Sequence, residues 1–553
     1  MSNAYVPPSF QTRIDLDLSR NEGSPILEGL DLSGVDVVGL ANRYPDTEAL
    51  REAIGRRHRV PPEMVLVTAG ADDALFRCFL AFPEGPVVAT TPSFEMIRRY
   101  AAQVGTPLIE VPWWDRAFPI EEFRTEATTR PGTAVVVSPN NPTGNVITRS
   151  DLRAISDAYP VVVLDSAYTE FADEDLTPLA IDLGNVVVLR TLSKAFGLAG
   201  LRVGYALGPP RLIERLSSFG SPYALSGLSA ALAGLVLETG EESVGGALSS
   251  VAENRKRLAS LLEELGCEPL PSQANFVLAT DVDPGWVVPA MASLGVGLRG
   301  FPDHSELARC VRITVPAAED GYTRLERTLR IVLAPQALLF DLDGVLADVS
   351  GSFRAAIVAT AASFGVEVSP DDIARVKARG DASDDWELTR RLCAANGVEV
   401  GLGEVRERFE TLYQGIDGVN GLKERERLLV DPSVLASWAD RLPLAIVTAR
   451  PRKDALEFCD RFGIGDFFET VVTREDAPSK PDPAPVLLAL ERLGVKRAWM
   501  VGDTVDDLVA ARAAGVVPIA VVTPGEDGGH LSQAARVLST VSEIEEVLRD
   551  PIG

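Results

Sequence analysis

The sequence predicts an α/β fold built mainly on parallel sheets, and three observations support this class. Apolar runs such as VVVLD (161–165) and NVVVLR (185–190) are typical of strands that are buried on both faces. Long amphipathic segments such as residues 242–266 alternate with these runs, as helices do in layered α/β proteins. The chain has 553 residues, which at roughly 100–200 residues per domain predicts about three folding units.

Composition and charge narrow the possible functions. The chain is 46% hydrophobic and 24% charged, which is typical of globular proteins and not of disordered ones. Its 53 basic and 79 acidic residues give a formal charge of −26, which disfavours binding to nucleic acid or to an anionic membrane. The N-terminus has no signal-peptide pattern, and no apolar run approaches the ~20 residues that span a bilayer. We therefore expect a soluble, cytoplasmic protein.

A domain boundary is expected near residue 334. The stretch 316–334 has a helical pattern, Pro335 follows it, and a new apolar strand begins at residue 337. We therefore predict a first part over residues 1–334 and a second over residues 336–553. Within the second part, residues 350–430 have a helical pattern and separate two predicted strands, so they form an insert.

The segment RTLSKAFGLAGLRVGY (190–205) predicts a site for a phosphorylated aldehyde. The chain has only seven lysines, and Lys194 is the first of them. A lysine amine can condense with an aldehyde, while the Thr191 and Ser193 hydroxyls and the Arg202 guanidinium can hold a phosphate dianion. The alternative for this lysine alone is an ordinary surface position on a loop.

Four other segments suit a phosphorylated pyridine ring. Asp165 ends a predicted strand, where its carboxylate could keep a pyridine nitrogen protonated. Asn141, in the turn-rich segment SPNNPTG, could donate to a ring hydroxyl, and Phe94 could stack on the ring. The glycine-rich turn in VTAGADDALF (67–76) could offer backbone N–H groups to a phosphate. Taken singly, each segment is equally compatible with a loop, a turn or the apolar core.

The order of these segments resembles that in fold-type I pyridoxal-phosphate aminotransferases. The resemblance covers residues 1–334 and is greatest to the histidinol-phosphate aminotransferase branch. It implies a large α/β domain and a small α+β domain, the latter formed by the N-terminal segment and residues from about 230 to 334. The motifs that carry it, in chain order, are NRYPD (42–46), GADD (70–73), SPNNPTG (138–144), RTLSKAFGLAGLRVGY (190–205), SPYALS (221–226), PSQANF (271–276) and VRITV (311–315).

The resemblance implies a role for each residue that matches the family's cofactor-binding pattern. Lys194 is then the Schiff-base lysine and proton carrier, and Asp165 pairs with the pyridine nitrogen of pyridoxal phosphate. The other implied contacts are Asn141 and Tyr168 at the ring hydroxyl, Phe94 on the ring face, and Ala71, Asp72, Thr191, Ser193 and Arg202 at the phosphate.

The resemblance also implies a homodimer and an anionic substrate. Tyr44 corresponds to the residue that reaches the cofactor phosphate from the partner subunit, and Arg299 and Arg312 correspond to the pair that binds the anionic end of the substrate. The chain departs from the family at several positions, including Phe94, where tyrosine is frequent, and residues 7–10, where the N-terminal closing segment has no clear match. These departures concern the substrate more than the cofactor.

A second group of motifs predicts phosphoryl transfer with a metal ion. In LLFDLDGVLAD (338–348), Asp341 and Asp343 follow an apolar strand, so one could attack phosphorus and the other could protonate the leaving oxygen. Strand-end carboxylates together with substrate oxygens suit Mg²⁺, while a hydroxyl and an ammonium suit a phosphate. The further pieces are Thr448 in LAIVTAR, Lys480 in SKPDP, and Asp503 and Asp507 in WMVGDTVDD.

These four motifs, in this order, resemble the haloacid dehalogenase superfamily of phosphatases over residues 336–553. The insert at 350–430 then corresponds to the helical cap that the family places on its Rossmann-like core. The resemblance implies Asp341 as the nucleophile, Asp343 as the general acid and base, and Thr448 and Lys480 as the groups that neutralise the phosphoryl charge. It assigns Mg²⁺ to Asp341, Asp503 and the backbone carbonyl of Asp343, with Asp507 in support.

Together the two parts predict a bifunctional enzyme. The first part would transfer an amino group, from a donor such as glutamate, to a phosphorylated ketone, and the second would hydrolyse the resulting phosphate ester. The resemblance to the histidinol-phosphate branch points to histidine biosynthesis. Three alternatives stay open: another phosphorylated amino alcohol as substrate, decarboxylation at the cofactor site, or a second part that senses a phosphate without catalysis.

Overall fold

The computed structural model describes residues 8–114, 117–377, 384–416, 419–523 and 528–549. Packing divides the chain into two compact units. The first contains Asp17–Asp281 and Leu298–Arg324, and the second contains Ser9–Leu16, Val282–Gly297 and the chain from Leu325 onward. The division falls inside the helix Glu319–Leu333. The domain boundary near residue 334 was predicted from the order of motifs along the chain and not from packing, and it stays a prediction.

A seven-stranded sheet forms the centre of the first unit. Five consecutive strands at one side of this sheet are parallel, and Gly204–Leu207 is antiparallel to both of its neighbours. The predicted strands at 161–165 and 185–190 are confirmed. In spatial order the strands are Val65–Thr68, Gly204–Leu207, Val186–Thr191, Val161–Asp165, Thr133–Val137, Val87–Thr91 and Leu108–Pro112.

Helices cover both faces of this sheet, because alternate strand residues enter two separate apolar clusters. Val162 and Leu164 belong to one cluster, whereas Val163 belongs to the other. This arrangement explains why the strands read as continuous apolar runs rather than as alternating ones. The α-helices of this layer are Val37–Ala41, Glu48–His58, Ala71–Ala81, Met96–Val104, Ile120–Thr129, Arg149–Ala158, Thr177–Asp182, Pro210–Ser217, Gly227–Thr239 and Glu241–Glu264.

A small antiparallel sheet completes the first unit. Its strands, in spatial order, are Arg299–Gly300, Val311–Thr314, Phe276–Thr280 and Glu268–Pro269. The chain reaches this sheet through the helix Glu241–Glu264, which the sequence predicted over 242–266. Through the described ranges of the chain, no helix combines the length and the apolar character needed to cross a membrane.

A parallel six-stranded sheet forms the centre of the second unit. Its strands, in spatial order, are Thr470–Val472, Leu444–Val447, Ala337–Phe340, Ala498–Gly502, Val517–Val521 and Arg536–Leu538. The helices of this unit that come after residue 430 are Pro432–Ala439, Arg452–Phe462, Ala484–Leu493, Val505–Ala513 and Ile544–Arg549. The helix Pro284–Ser293 also belongs to this unit, where the Trp286 ring packs 4.7 Å from the ring of Trp499 between centroids.

The predicted helical insert is observed in the second unit. A two-residue antiparallel strand pair, Ala347–Asp348 with Arg427–Leu428, joins its two ends, and we call this pair the base of the insert. Residues 381–383 of its acidic stretch lie outside the described residues. The helices of the insert are Phe353–Ser363, Pro370–Lys377, Asp385–Ala395 and Leu402–Gln414, and the last is followed by the hairpin strands Gly415–Ile416 and Val419–Asn420.

Candidate active sites

The first candidate site lies where neighbouring parallel strands end. Asp165 is the last residue of its strand and is the register partner of Leu189 in the next strand, which ends at Thr191. Lys194 follows three residues later. Because parallel strands end at one edge of a sheet, this topology brings together the amine and the carboxylate that the sequence predicted.

Lys194 carries an amine whose proton affinity is reduced. Its Nζ donates to the backbone oxygen of Arg20 at 3.2 Å and lies 5.8 Å from the centroid of the Tyr168 ring. Burial of the amine and the charge of Arg312 lower the pKa of Lys194 to about 8. A lysine with this pKa has a sizeable neutral fraction near neutral pH, as a nucleophilic amine requires.

Asp165 is a buried carboxyl suited to a cationic partner. Only 4% of the residue is exposed, and its Oδ1 accepts a hydrogen bond from the Ala167 N–H at 3.0 Å. Burial raises the pKa of Asp165 to about 7, and the charge of Asp72 adds to the effect. A protonated pyridine nitrogen placed against this carboxyl would favour its charged form, so the site fits the ring of pyridoxal phosphate.

A cradle suited to a phosphate forms at the start of the helix Ala71–Ala81. Gly70 has φ +86°, and a Cβ atom there would lie 2.8 Å from Nη2 of Arg202. A Cβ on Gly204 would lie 2.5 Å from the Ala71 nitrogen, so the strand passes close to the helix start. The Arg202 Nη2 also lies 3.1 Å from Oδ2 of Asp72. The cradle combines free helical N–H groups with a guanidinium, which is a suitable environment for a phosphate.

Two hydroxyls predicted for the phosphate lie together. Thr191 Oγ1 donates to Ser193 Oγ at 2.9 Å, and the Ser193 N–H donates to Thr191 Oγ1 at 3.1 Å. Both residues are buried. Their hydrogen bonds fix the turn that leads from the strand to Lys194.

The predicted ring-side residues are held by polar partners. The Tyr168 hydroxyl accepts a hydrogen bond from Asn21 Nδ2 at 3.0 Å. Asn141 Oδ1 accepts one from Nη1 of Arg312 at 2.6 Å. Phe94 is partly buried against the apolar cluster on one face of the sheet. These contacts fix the side chains of Tyr168 and Asn141 before any ligand is bound.

Arg299 and Arg312 are brought side by side by strand register. They are direct partners in adjacent antiparallel strands, so both side chains project from one face of the small sheet. Arg312 is nearly buried and its Nη2 donates to the Ser19 carbonyl at 2.7 Å, while Arg299 Nη2 lies 3.3 Å from Oε2 of Glu95. The pair suits an anionic group, and Glu95 partly balances its charge.

The N-terminal segment that reaches Lys194 was not predicted from the sequence. It is Arg20–Gly23, where a Cβ atom on Gly23 would lie 1.7 Å from the Lys194 carbonyl oxygen. Asn21 is 1% exposed with φ +55°. The polar run SRNEG after an alternating stretch was the available signal, but nothing in its spacing indicates a contact across 170 residues of chain.

Tyr44 is not buried in the site of its own chain. It is 80% exposed, and its ring stacks on that of Tyr223 with the centroids 4.6 Å apart. Tyr223 is itself 54% exposed, and Val37 and Val38, which precede Tyr44 in the chain, are exposed as well.

The second candidate site lies at the carboxyl edge of the six-stranded sheet. Asp341 and Asp503 follow adjacent parallel strands, in which Phe340 is the register partner of Val501. Carboxylate oxygens of Asp341, Asp503 and Asp507 lie within 4.8 Å of one another, and all three residues are buried. Three hard oxygen donors at this spacing fit Mg²⁺.

Lys480 is embedded among these carboxylates. Its Nζ lies 2.9 Å from Oδ1 of Asp341, pairs with Asp507, and donates to the Val447 carbonyl at 2.9 Å. Burial opposes the ammonium form, but the charges of Asp341 and Asp507 raise the pKa of Lys480 above its usual value. Burial raises the pKa of Asp341 well above its usual value, and Lys480 opposes that shift.

Local backbone geometry fixes two of the acidic side chains. Asp507 is the third residue of a helix and accepts from Thr504, at 3.0 Å from the N–H and 2.6 Å from the hydroxyl. Gly344 has φ +78°, and a Cβ atom there would lie 2.0 Å from Oδ2 of Asp503. A side chain at position 344 would therefore displace Asp503.

Thr448 and Asp343 share a neighbour that the sequence analysis did not single out. The Thr448 N–H donates to Val472 O at 2.9 Å, and its Oγ1 accepts from the Arg450 N–H at 3.2 Å. Arg450 Nε donates to Oδ1 of Asp343 at 2.7 Å. The only sequence signal for this arginine was its position two residues after Thr448.

The two candidate sites carry different chemical groups, one built on an amine and the other on carboxylates. Residues 38–324 match the family described as aminotransferase class I and II, and residues 335–515 match the family described as haloacid dehalogenase-like hydrolase. The chain therefore belongs to the class I and II aminotransferases and carries a haloacid dehalogenase-like hydrolase domain after them. The predicted fold class is confirmed.

Several of the similar proteins are named as aminotransferases. The histidinol-phosphate aminotransferase of Caldanaerobacter subterraneus subsp. tengcongensis is 36% identical over 304 residues, which cover 53% of this chain and 85% of that protein. The crystal structure of histidinol-phosphate aminotransferase from Sinorhizobium meliloti, in complex with pyridoxal-5'-phosphate, matches with a TM-score of 0.52 and 25% identity. That match covers 57% of this chain and 92% of the solved one.

A third relative carries a different name. Imidazoleglycerol-phosphate dehydratase of Phytophthora nicotianae is 48% identical over 197 residues, which cover 34% of this chain. The chain spans only 44% of the length of that protein.

Proposed function

We propose that the chain is a bifunctional enzyme with a pyridoxal-phosphate-dependent aminotransferase and a Mg²⁺-dependent phosphatase. The observation that carries the proposal is that both sets of chemical groups are complete in one chain. Lys194 and Asp165 stand at one sheet edge, and Asp341, Asp503, Asp507 and Lys480 stand at another. The names of the relatives support histidinol phosphate as the product of the first reaction, and we propose the same compound as the substrate of the second.

In the first reaction, the residues of this chain would bind the cofactor and move a proton. Pyridoxal phosphate, when bound, supplies an electron sink for charge that develops on the substrate carbon. The cradle at Gly70 and Arg202 would hold its phosphate, and Asp165 would keep its ring nitrogen protonated. The Lys194 amine, with its pKa of about 8, can take a proton from the substrate and return it.

The substrate would be a phosphorylated ketone, with glutamate as the amino donor. Arg299 and Arg312 lie side by side, so they can bind either the phosphate of one substrate or a carboxylate of the other. Glu95 near Arg299 limits the positive charge at that end. This arrangement supports substrates that carry one anionic group away from the reacting carbon.

The exposed aromatic pair supports a homodimer. Tyr44 and Tyr223 stack on each other but remain largely exposed, and Val37 and Val38, in the same stretch of chain as Tyr44, are exposed apolar side chains too. Exposed apolar groups that cluster in this way are typical of an interface. In the proposed dimer, Tyr44 would help to hold the cofactor phosphate of the partner subunit.

In the second reaction, an Asp341 oxygen would attack phosphorus, and the bond from phosphorus to the alcohol oxygen would break. Asp343 gives a proton to that oxygen and then removes one from the water that hydrolyses the aspartyl phosphate. Lys480 and Thr448 offset the phosphoryl charge in the transition state. Mg²⁺, when held by Asp341, Asp503 and the Asp343 carbonyl, supplies further positive charge next to the nucleophile.

The test is a coupled assay on the full chain. We would supply pyridoxal phosphate, Mg²⁺, imidazole acetol phosphate and glutamate, and follow the products by mass spectrometry. The proposal predicts histidinol and inorganic phosphate. Asp341→Asn should stop at histidinol phosphate, and Lys194→Ala should form no amino product but still hydrolyse added histidinol phosphate.

Other outcomes would change specific parts of the proposal. No amino product from protein that has the yellow colour of bound cofactor would indicate a different phosphorylated substrate or a decarboxylation. Tight binding of histidinol phosphate without hydrolysis would indicate that the second part is a sensing module. Loss of both activities in Asp341→Asn would contradict two independent sites.

A further inference from the structure

Arg450 is a fully buried cation beside the second site. It lies in the loop between the strand Leu444–Val447 and the helix Arg452–Phe462, and only 2% of it is exposed. Its guanidinium carbon lies 4.7 Å from the centroid of the Phe353 ring and 5.2 Å from that of Phe458. The rings restrict the guanidinium to one position and exclude water from it.

One guanidinium binds two carboxylates that belong to different parts of the second unit. Nε of Arg450 donates to Oδ1 of Asp343 at 2.7 Å, and Nη1 donates to Oε2 of Glu426 at 3.2 Å. Asp343 belongs to the catalytic loop of the core, whereas Glu426 directly precedes the base strand Arg427–Leu428 of the insert. The arginine therefore connects the catalytic loop to the insert.

Glu426 is in turn held by the insert itself. Its Oε1 accepts from the Ser352 hydroxyl and from the Tyr413 hydroxyl, both at 3.0 Å. Tyr413 lies in the last helix of the insert, and Ser352 lies just before the first. Any displacement of the insert helices relative to the base would move Glu426, and with it the guanidinium.

We propose that Arg450 is a positioning residue that couples the orientation of Asp343 to the position of the helical insert. The inference rests on the proposed phosphatase activity of the second site. A purely structural role would not require an arginine, because replacing a buried ion pair with apolar groups is frequently neutral for stability. An apolar side chain at position 450 could not hold the Asp343 carboxyl at a fixed place.

The leaving group of the substrate distinguishes a misplaced Asp343 from an unspecific loss of activity. When Asp341 attacks phosphorus, an alkyl oxygen leaves only if Asp343 gives it a proton, whereas nitrophenolate leaves as a stable anion without one. A misplaced Asp343 should therefore slow the first step for an alkyl phosphate far more than for an aryl phosphate.

The experiment measures the first turnover, with enzyme in excess and Mg²⁺ present, on glycerol phosphate and on p-nitrophenyl phosphate. For Arg450→Met, we expect release of glycerol to fall about a hundredfold and release of nitrophenol to fall less than about tenfold. Arg450→Lys, which keeps the charge, should recover part of the loss. Equal losses on the two substrates in Arg450→Met would overturn the inference.

Arg461 provides a matched control. It donates from Nη1 to the Lys423 carbonyl at 2.9 Å and from Nη2 to the Glu424 carbonyl at 2.8 Å, so it binds the same segment of the insert. Its ion pair, to Oε2 of Glu424 at 3.6 Å, also lies in the insert and not in the catalytic loop. Arg461→Met should keep both first-turnover rates. If Arg450→Met does not fold, Glu426→Gln tests the same link and should show the same leaving-group pattern, to a smaller degree.

A second measurement needs no turnover. Asp343→Asn should accelerate amide hydrogen exchange at the base strand Arg427–Leu428 when Arg450 is present, and should have no such effect in the Arg450→Met background. If the effect of Asp343→Asn on exchange depends on Arg450 but the native chain releases no phosphate, the proposed function is refuted and the coupling through Arg450 is supported. If the native chain releases phosphate normally but Asp343→Asn has no Arg450-dependent effect on exchange, only the proposed coupling through Arg450 is refuted.

Discussion

At the scale of single residues, the chemistry of the first site depends on how readily Lys194 loses a proton. The amine has a pKa of about 8 because it is buried and lies near the charge of Arg312. Glu22 and Asp72 oppose this shift. The amine is therefore partly neutral at physiological pH, which an exposed lysine is not.

The rate at which the cofactor-free chain captures pyridoxal phosphate should follow this pKa. Only the neutral amine reacts with an aldehyde, so the rate constant should rise about tenfold per pH unit below pH 8 and level off above it. Stopped-flow absorbance after mixing measures this profile. A rate constant that does not change between pH 6 and pH 8 would contradict the proposed environment of Lys194.

In the second site, a single glycine determines whether Asp503, a proposed Mg²⁺ ligand, can keep its observed position. Gly344 and Gly463 both have positive φ, but only at Gly344 would a Cβ meet another group, namely Asp503. Gly463→Ala should cost about 1 kcal/mol of stability and keep phosphatase activity. Gly344→Ala should cost at least as much and also lose Mg²⁺-dependent phosphate release, in assays run side by side. Full activity of Gly344→Ala would show that Asp503 need not occupy its observed position.

At the scale of elements, a histidine joins a helix to the central sheet of the first unit. His58 ends the helix Glu48–His58, and its Nε2 lies 2.9 Å from the hydroxyl of Tyr205 in the antiparallel strand. Burial and the charge of the buried Arg190 lower the pKa of His58 to about 3. The folded state therefore keeps this ring neutral at pH values where an unfolded chain would protonate it.

This contact should make the first unit acid-sensitive. Between about pH 6.5 and pH 3 the unfolded chain binds the additional proton, so stability falls as the pH falls. For His58 the loss from pH 7 to pH 5 is up to about 2 kcal/mol. His58→Gln should reduce the difference in unfolding free energy between these two pH values by that amount. An unchanged difference would indicate that His58 is already charged in the folded state.

The elements that carry the sites could largely be predicted from the sequence. The strand that ends at Asp165 was predicted to the residue, and the strands before Asp341 and Asp503 were predicted from their apolar runs. Because parallel strands end at one edge of a sheet, these runs also indicate where the carboxylates meet. Arg450 and Asn21 could not be predicted, because both act through contacts between segments far apart in the chain. Local pattern carries no information on such contacts, and neither residue stands in a periodic apolar stretch.

The packing partner of the helix Pro284–Ser293 could not be predicted for the same reason. Its sequence indicates a buried helix, since it is apolar on all sides, but not the sheet on which it packs. The packing of the chain places this helix in the second compact unit, while the predicted limits of the small domain, from about 230 to 334, stay a prediction.

At the scale of the whole molecule, the proposed dimer makes a prediction about mixed chains. If Tyr44 completes the site of the partner subunit, a dimer of one Lys194→Ala chain and one Tyr44→Ala chain has one site with both changes and one site with neither. Mixing and refolding the two inactive variants should therefore restore transamination to about a quarter of the native value, given random pairing and one native site in each mixed dimer.

The control for this experiment is a chain that carries both substitutions. In a dimer of this chain with a native chain, each of the two sites carries one of the two changes. Mixed dimers should therefore contain no fully native site. If mixing Lys194→Ala with Tyr44→Ala yields only the sum of their separate residual activities, Tyr44 acts within its own chain or not at all.

The packing of Trp286 on Trp499 bears on how this gene could be divided. Trp286 lies before the predicted boundary and Trp499 after it, and both are almost completely buried. Cutting the chain near residue 334 would leave an uncovered indole on each fragment, together with the apolar surface around it. Recombination at this position would therefore expose apolar surface on both products, so we expect the two parts of the chain to be inherited together.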